Sequence, residues 1–247
     1  MATQIGPMQL QGKLGNVIFV KGKNGKNHAR ILRPAKEVSS SVIKENNNEF
    51  AQAAIGGKLI RTAFAEIIKG MQESLLTQRL SKALRTIVKS DTLNPRGARK
   101  ISDGDVELLQ GFEMNSDVAL STALKAPYSA EIDRASGVLK VEISSFIPGK
   151  LLVYPEGATH YKFTIAGAMV DFETRDRLTA QESSGELPLS NVAGESLSLQ
   201  VQLPPALTAP LMLALGLSFF QEVNGNYTAL GAGLHTAISL VAVSNPE

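Results

Sequence analysis

The sequence predicts an α+β fold: an N-terminal β-hairpin arm, a short helical hairpin and a C-terminal antiparallel β-sandwich. Three observations carry this. A β-branched run, a Gly/Asn turn and a second run occupy residues 14–32; apolar residues recur at three- and four-residue spacing over 39–90; and beyond 103 alternating runs are separated by Pro and Gly turns. The expected boundaries are 1–36 for the arm, 37–102 for the helical segment and 103–247 for the sandwich.

In the arm, residues 14–20 and 28–32 read as two strands joined at Asn24-Gly25. Val17, Ile18, Phe19 and Val20 are apolar at four consecutive positions, so both faces of that strand demand cover. A lone two-stranded hairpin cannot supply it. Leu14, Val17, Ile18, Phe19, Val20 and Ile31 are therefore candidates for contact with the rest of the chain or with a neighbouring copy.

Two helices are expected next, with a break near Gly70. One is marked by Phe50, Ala54, Leu59 or Ile60, Phe64, Ile67 and Ile68, the other by Leu76, Leu80, Leu84, Ile87 and Val88. Gly56-Gly57 costs the first helix about 1 kcal/mol per glycine relative to alanine, unless something packs closely there. The two stripes either face each other or cover a sheet. Asn94-Pro95-Arg96-Gly97 ends the helical region.

Strands are expected at 118–124, 138–143, 161–172, 197–203, 212–223 and 234–243, with turns at 133–137 and at Asn224-Gly225. Val141 and Ile143 against Lys140 and Glu142, and Leu199 and Val201 against Ser198 and Gln200, show strands buried on one face. About seven short strands in this stretch favour a sandwich over a parallel sheet.

Charge divides the chain as sharply as structure does. Residues 1–100 hold 18 Lys/Arg and 6 Asp/Glu, whereas 101–247 hold 7 and 17. Lys13, Lys21, Lys23, Lys26, Arg30 and Arg33 form a basic surface candidate that suits either a polyanion or an acidic partner surface. Aromatic residues make up only 5% with no Trp, which supplies a base-stacking platform poorly.

Chemistry is sparse. The absence of cysteine excludes disulfides, thiolate metal sites and Cys nucleophiles. His28, His160 and His235 lie in three separate segments, without metal-ligand spacing. Residues 22–27 (GKNGKN) lack the spacing and the Ser/Thr of a phosphate loop. Asp103/Asp105 and Asp171/Glu173 lack the Gly and the distant Glu of a calcium loop, and no Gly-x-Ser-x-Gly occurs. No catalytic residue, cofactor or metal is expected. The first ten residues, MATQIGPMQL, have neither a charged leader nor a continuous apolar stretch. Cytoplasmic synthesis without a signal peptide is the expectation, compatible with a final place in a virion or an extracellular assembly. The apolar stretch 211–220 is too short to span a bilayer, so no membrane insertion is expected.

Gly12-Lys13-Leu14-Gly15-Asn16-Val17-Ile18-Phe19, Asn46-Asn47-Asn48-Glu49-Phe50, Gly111-Phe112-Glu113-Met114-Asn115 and Ser145-Phe146-Ile147-Pro148-Gly149 resemble uncharacterised families found in Bacteroidota genomes. The resemblance covers most of the chain. Its motifs are those of turns and packing, and it implies no activity and no site residues.

An uncovered arm, a charge split and missing catalytic chemistry together point to a non-enzymatic structural subunit that self-assembles head to tail, as a filament, tube, sheath or phage-virion component. The alternative is a nucleic-acid or polyanion-binding protein that uses the basic N-terminal half, which requires the basic residues to gather on one face. A carbohydrate- or protein-binding sandwich requires an exposed aromatic patch, and Tyr128, Tyr154, Tyr161 and Tyr227 are the only tyrosines.

Overall fold

The computed structural model describes residues 2–3, 10–22, 25–32, 40–69, 71, 74–230 and 235–246. The fold is mixed α+β with a β-rich C-terminal region. Contacts divide it into two units, Met1–Lys44 and Glu45–Glu247.

The first unit is a four-stranded antiparallel sheet, where a two-stranded hairpin was expected. One extra strand is Ala2–Thr3, paired with residues 28 and 29, and Gly15 causes the other. Its φ of +56° makes Gly15-Asn16 a tight two-residue turn, folding Leu14 back onto Val17 instead of continuing the same strand. The strands are β1 (Ala2–Thr3), β2 (Gly12–Leu14), β3 (Val17–Lys21) and β4 (Asn27–Ile31), in the order β1-β4-β3-β2. Gly25, at φ +75°, lies in the β3–β4 turn, where the Gly22 N–H donates to the Lys26 carbonyl at 2.8 Å. Asn24, Lys23 and Arg33 lie outside the described residues, as does Gly70.

Helix α1 (Ser41–Ala63) and helix α2 (Leu76–Ser90) follow. The expected stripe of α2 is buried throughout: Leu76, Leu80, Leu84, Ile87 and Val88. That of α1 is displaced. Phe50 and Ala54 are exposed, and the buried positions are Glu49, Ala53, Gly56, Gly57, Ile60 and Ala63. Small residues serve as the contact because the neighbours come so close: a β-carbon at Gly56 would run into the Ile101 side chain, and one at Gly57 would touch Leu84 at 3.6 Å. Close packing therefore offsets the propensity cost of the glycine pair. The helix ends at Ala63, yet Phe64 and Ile67 in the following turns stay buried.

Asp91 ends α2 and organises the loop after it. Its carboxylate accepts from the Leu93 and Asn94 N–H groups at 2.8 and 3.0 Å, from the Asn94 side-chain amide at 2.9 Å and from the Lys100 N–H at 2.9 Å. Burial alone would raise its pKa, but these donors outweigh burial and lower it to about 2. A 3-10 turn (Val106–Leu109) and two short helices, α3 (Leu120–Ala123) and α4 (Pro148–Leu151), follow. Helix α3 lies where a strand was expected. Leu120, Ala123 and Leu124 fit helical spacing equally well, and the Glu113 carboxylate accepts the Leu120 N–H at 3.0 Å, securing the first turn.

Two antiparallel sheets build the rest. The smaller has the order β10 (Leu197–Gln202), β6 (Val138–Ile143), β5 (Tyr128–Asp133). The larger centres on β7 (His160–Val170) and β11 (Leu211–Val223). Strands β8 (Arg177–Ser183) and β9 (Leu187–Pro188) flank β7, while β12 (Asn226–Ala229) and β13 (Ala237–Ser244) flank β11. The sheets pack face to face through Leu139, Val141, Ile143, Leu199 and Val201 against Phe163, Ile165, Leu213, Leu215 and Leu217. The opposite face of the larger sheet, with Ala166, Ala168, Met212, Ala214, Ile238 and Leu240, packs against Ile60, Phe64, Leu80 and Leu84. The result is three layers, with helices on one side of the large sheet and the small sheet on the other. The helical stripes cover a sheet. Central strands buried on both faces explain why β11 reads as a continuous apolar run.

Candidate assembly surface

Residues directly paired across antiparallel strands share a face, so the register sorts the arm. Leu14 pairs with Val17, and Val17 with Ile31; Gly12 pairs with Phe19, and Phe19 with Ala29. One face thus carries Leu14, Val17, Phe19, Ala29 and Ile31. The other pairs Lys13 with Ile18, Ile18 with Arg30, and Val20 with His28. The six expected contact residues are therefore divided: Leu14, Val17, Phe19 and Ile31 lie on the apolar face, Ile18 and Val20 on the mixed one.

Leu14 is 68% exposed and Ile31 72%, at the two ends of one cross-strand row whose middle, Val17, is half-buried. Ile18 and Phe19 are half-buried too, and Val20 is exposed. The basic candidates are dispersed. Lys13 and Arg30 share the mixed face, Lys21 falls on the apolar face and Lys26 lies beside the β3–β4 turn. The sequence does not reveal this sorting, because the Gly15-Asn16 turn lies inside a strand-like run.

Opposite net charge separates the two units. Residues 1–44 carry eight Lys/Arg and one acid, while 45–247 carry 17 Lys/Arg and 22 acids.

Several other clusters in the second unit have structural partners. Thr159 Oγ1 lies 3.0 Å from His160 Nδ1, and His160 Nε2 lies 3.8 Å from Glu222, a hydroxyl–imidazole–carboxylate series. That hydroxyl accepts the Glu222 N–H at 2.8 Å, and the imidazole packs edge-on to Tyr227, so the series ties the far end of β11 to the start of β7. A cleft of about 630 Å³ opens where β7 and β11 run past the helices, between Glu66 and Ile67 above and Thr164, Ser218 and Phe220 below. Lys162 at its edge is held by Glu186 at 3.0 Å and lies over the Phe220 ring, so its charge is already partnered.

Burial raises the Glu113 carboxyl above its ordinary range, against the N–H groups of Leu120 and Ser121 and the nearby Arg79. Asp171 accepts the N–H groups of Glu173 and Thr174 and shapes a turn, while Glu173 pairs with Lys100 at 2.9 Å. No cluster of three or more His, Asp or Glu placed to hold a metal ion occurs among the described residues. Exposed Tyr154 and Tyr227 lie on opposite faces of β11, beside Phe219 and His160, and Tyr161 is buried. Among the described residues no helix is long and apolar enough to cross a membrane.

No family model and no curated protein matches this chain.

Proposed function

We propose that this chain is a non-enzymatic structural subunit that assembles with copies of itself, the basic arm of one copy engaging the acidic second unit of the next. One observation carries the reading: the arm presents an apolar face whose row Leu14–Val17–Ile31 ends in two exposed side chains. That row sits in a unit of strong positive charge, joined to a unit of opposite sign. A small sheet with apolar side chains exposed at both ends of one face is marginal by itself and gains by covering them. A head-to-tail contact of this kind is heterologous, so it closes into a ring or tube or continues as a filament or sheath. Nucleic-acid binding fits less well, since the arm's described cations are divided between its two faces.

Sedimentation velocity over a range of protein concentrations tests the proposal. The full chain is expected to form large species, and Leu14→Asp with Ile31→Asp to suppress them while leaving the far-UV circular dichroism unchanged. Monomers at every concentration refute the reading, as does assembly that is indifferent to both substitutions.

A further inference from the structure

The open hydrogen-bonding edges in the two units fit each other in one register. In the arm, the Leu32 N–H donates to the Asn16 carbonyl, and the Gly22 N–H to the Lys26 carbonyl. By the alternation of an antiparallel ladder, Ile18 and Val20 then bond to β4, while Val17 and Phe19 bond to Leu14 and Gly12 of β2. Lys13, between them, directs its N–H and C=O away from β3, to an edge that no strand among the described residues covers.

In the small sheet of the second unit, the Ser144 N–H donates to the Pro127 carbonyl. The same alternation assigns Ser129, Glu131 and Asp133 to bonds with β6, so the backbone groups of Tyr128, Ala130 and Ile132 point away from it. The pattern agrees on the far side of β6, where the Leu203 N–H meets the Gly137 carbonyl and the outward Gln200 N–H is taken by the Glu182 carboxylate.

Among the described residues, the other edges of the second unit are occupied, carry no acid, or carry an acid already engaged. That of β13 is lined by 111–114 through the Gly111 and Met114 N–H groups, and β10 is met by Glu182. Strand β12 carries no acid, and β8 combines Arg177 with a Glu182 already engaged. Strand β5 has no Pro, Lys or bulge to blunt it. Its core-facing row is also left partly open: Tyr128 is 39% exposed, whereas Leu139, Val141 and Ile143 beside it are fully buried.

We infer that a second copy of this chain adds its β2 to the free edge of β5 in parallel orientation, with Lys13 opposite Glu131. The inference rests on the assembly reading above. Parallel pairing follows from the geometry. A residue bonding across a parallel edge bonds to the two neighbours of the residue it faces, so the Lys13 N–H and C=O meet Ala130 and Ile132. Antiparallel pairing would place Lys13 opposite Ala130 or Ile132 and turn its charge toward the core row. In the parallel register Leu14 lies beside Ile132, continuing the apolar row, and Lys13 joins the outward row of Ser129, Glu131 and Asp133. Glu131 also faces Lys140 across β6, but that lysine is engaged by Glu142. The joined sheet has seven strands, three from one copy and four from the next.

Carbodiimide coupling of a mixture of isotopically light and heavy full-length chain tests this, because it links a lysine to a carboxylate only in direct contact. Mass spectrometry is expected to find a Lys13–Glu131 amide, about half of it joining one light and one heavy peptide. Two further variants, Lys13→Glu and Glu131→Lys, are each expected to raise the concentration needed for assembly about tenfold, and both in one chain to restore it. Assembly with Lys13 coupled to another carboxylate overturns the β5 assignment and leaves the assembly reading standing. A Lys13–Glu131 link confined to chains of one isotope overturns the contact between copies. Uncoupled monomers throughout overturn both.

Discussion

Replacing Asp91 by Asn tests the loop that joins the helical layer to the sheets. Four donors converge on its two carboxylate oxygens, two on each. An amide keeps one oxygen and turns an NH₂ toward the other pair, so in either orientation two donors in a covered site lose their acceptor. At about 1–2 kcal/mol each, the expected loss at pH 7 is about 2–4 kcal/mol. Part of it is pH-dependent. A carboxyl held at about 2 instead of 3.8 stabilises the fold by up to about 2 kcal/mol above its unfolded pKa, and this is lost as pH falls through the folded value. Asn has no such titration. Urea unfolding of both proteins at pH 6 and pH 3, followed by far-UV circular dichroism, should therefore show the gap between them narrowing by about 1 kcal/mol at the lower pH. A gap under about 0.5 kcal/mol at pH 7, or one that does not narrow, refutes the hydrogen-bonding account of this loop.

Leu84→Ala, at a fully buried site between α1 and the large sheet, should cost about 2–5 kcal/mol in the same assay. Gly56→Ala should destabilise the fold by about 1–3 kcal/mol although alanine is the better helix former, because its β-carbon meets Ile101; a gain in stability would show that the glycine is not needed for close approach. Gly15→Val, at φ +56°, should strain the β2–β3 turn and weaken assembly while leaving the urea stability of the second unit unchanged. Raising salt from about 0.05 to 0.5 M should weaken assembly if contact between oppositely charged surfaces contributes to it, as light scattering would read.

What could be read from residue order alone follows from how each element is buried. Helix α2 packs one face on a sheet, so its leucines recur at helical spacing. Strands β6 and β10 have one buried face, so they alternate. In helix α1 the expected stripe holds at Ile60 and fails at Phe50 and Ala54, because the contact there is made by Ala and Gly, which carry little hydrophobic signal, while Phe50 packs near the Arg85 guanidinium at the surface. Strand β8 was invisible: six of its seven residues are exposed, leaving no alternation to detect. Strand β5 leaves no pattern for the same reason, since only Ala130 and Ile132 are even half-buried, and this openness makes it the proposed acceptor edge. In the arm, four consecutive apolar residues raise the expectation of a surface that needs cover, but the sorting into an apolar and a mixed face depends on Gly15, whose turn signal is subordinate to the strand-like run around it.

Negative-stain electron microscopy of the full chain, at rising concentration and at low and moderate salt, tests the central claim most directly. Regular polymers or rings that disappear in the Leu14→Asp, Ile31→Asp protein are the expected result. Uniform single particles of monomer size at every concentration in both salts would contradict it.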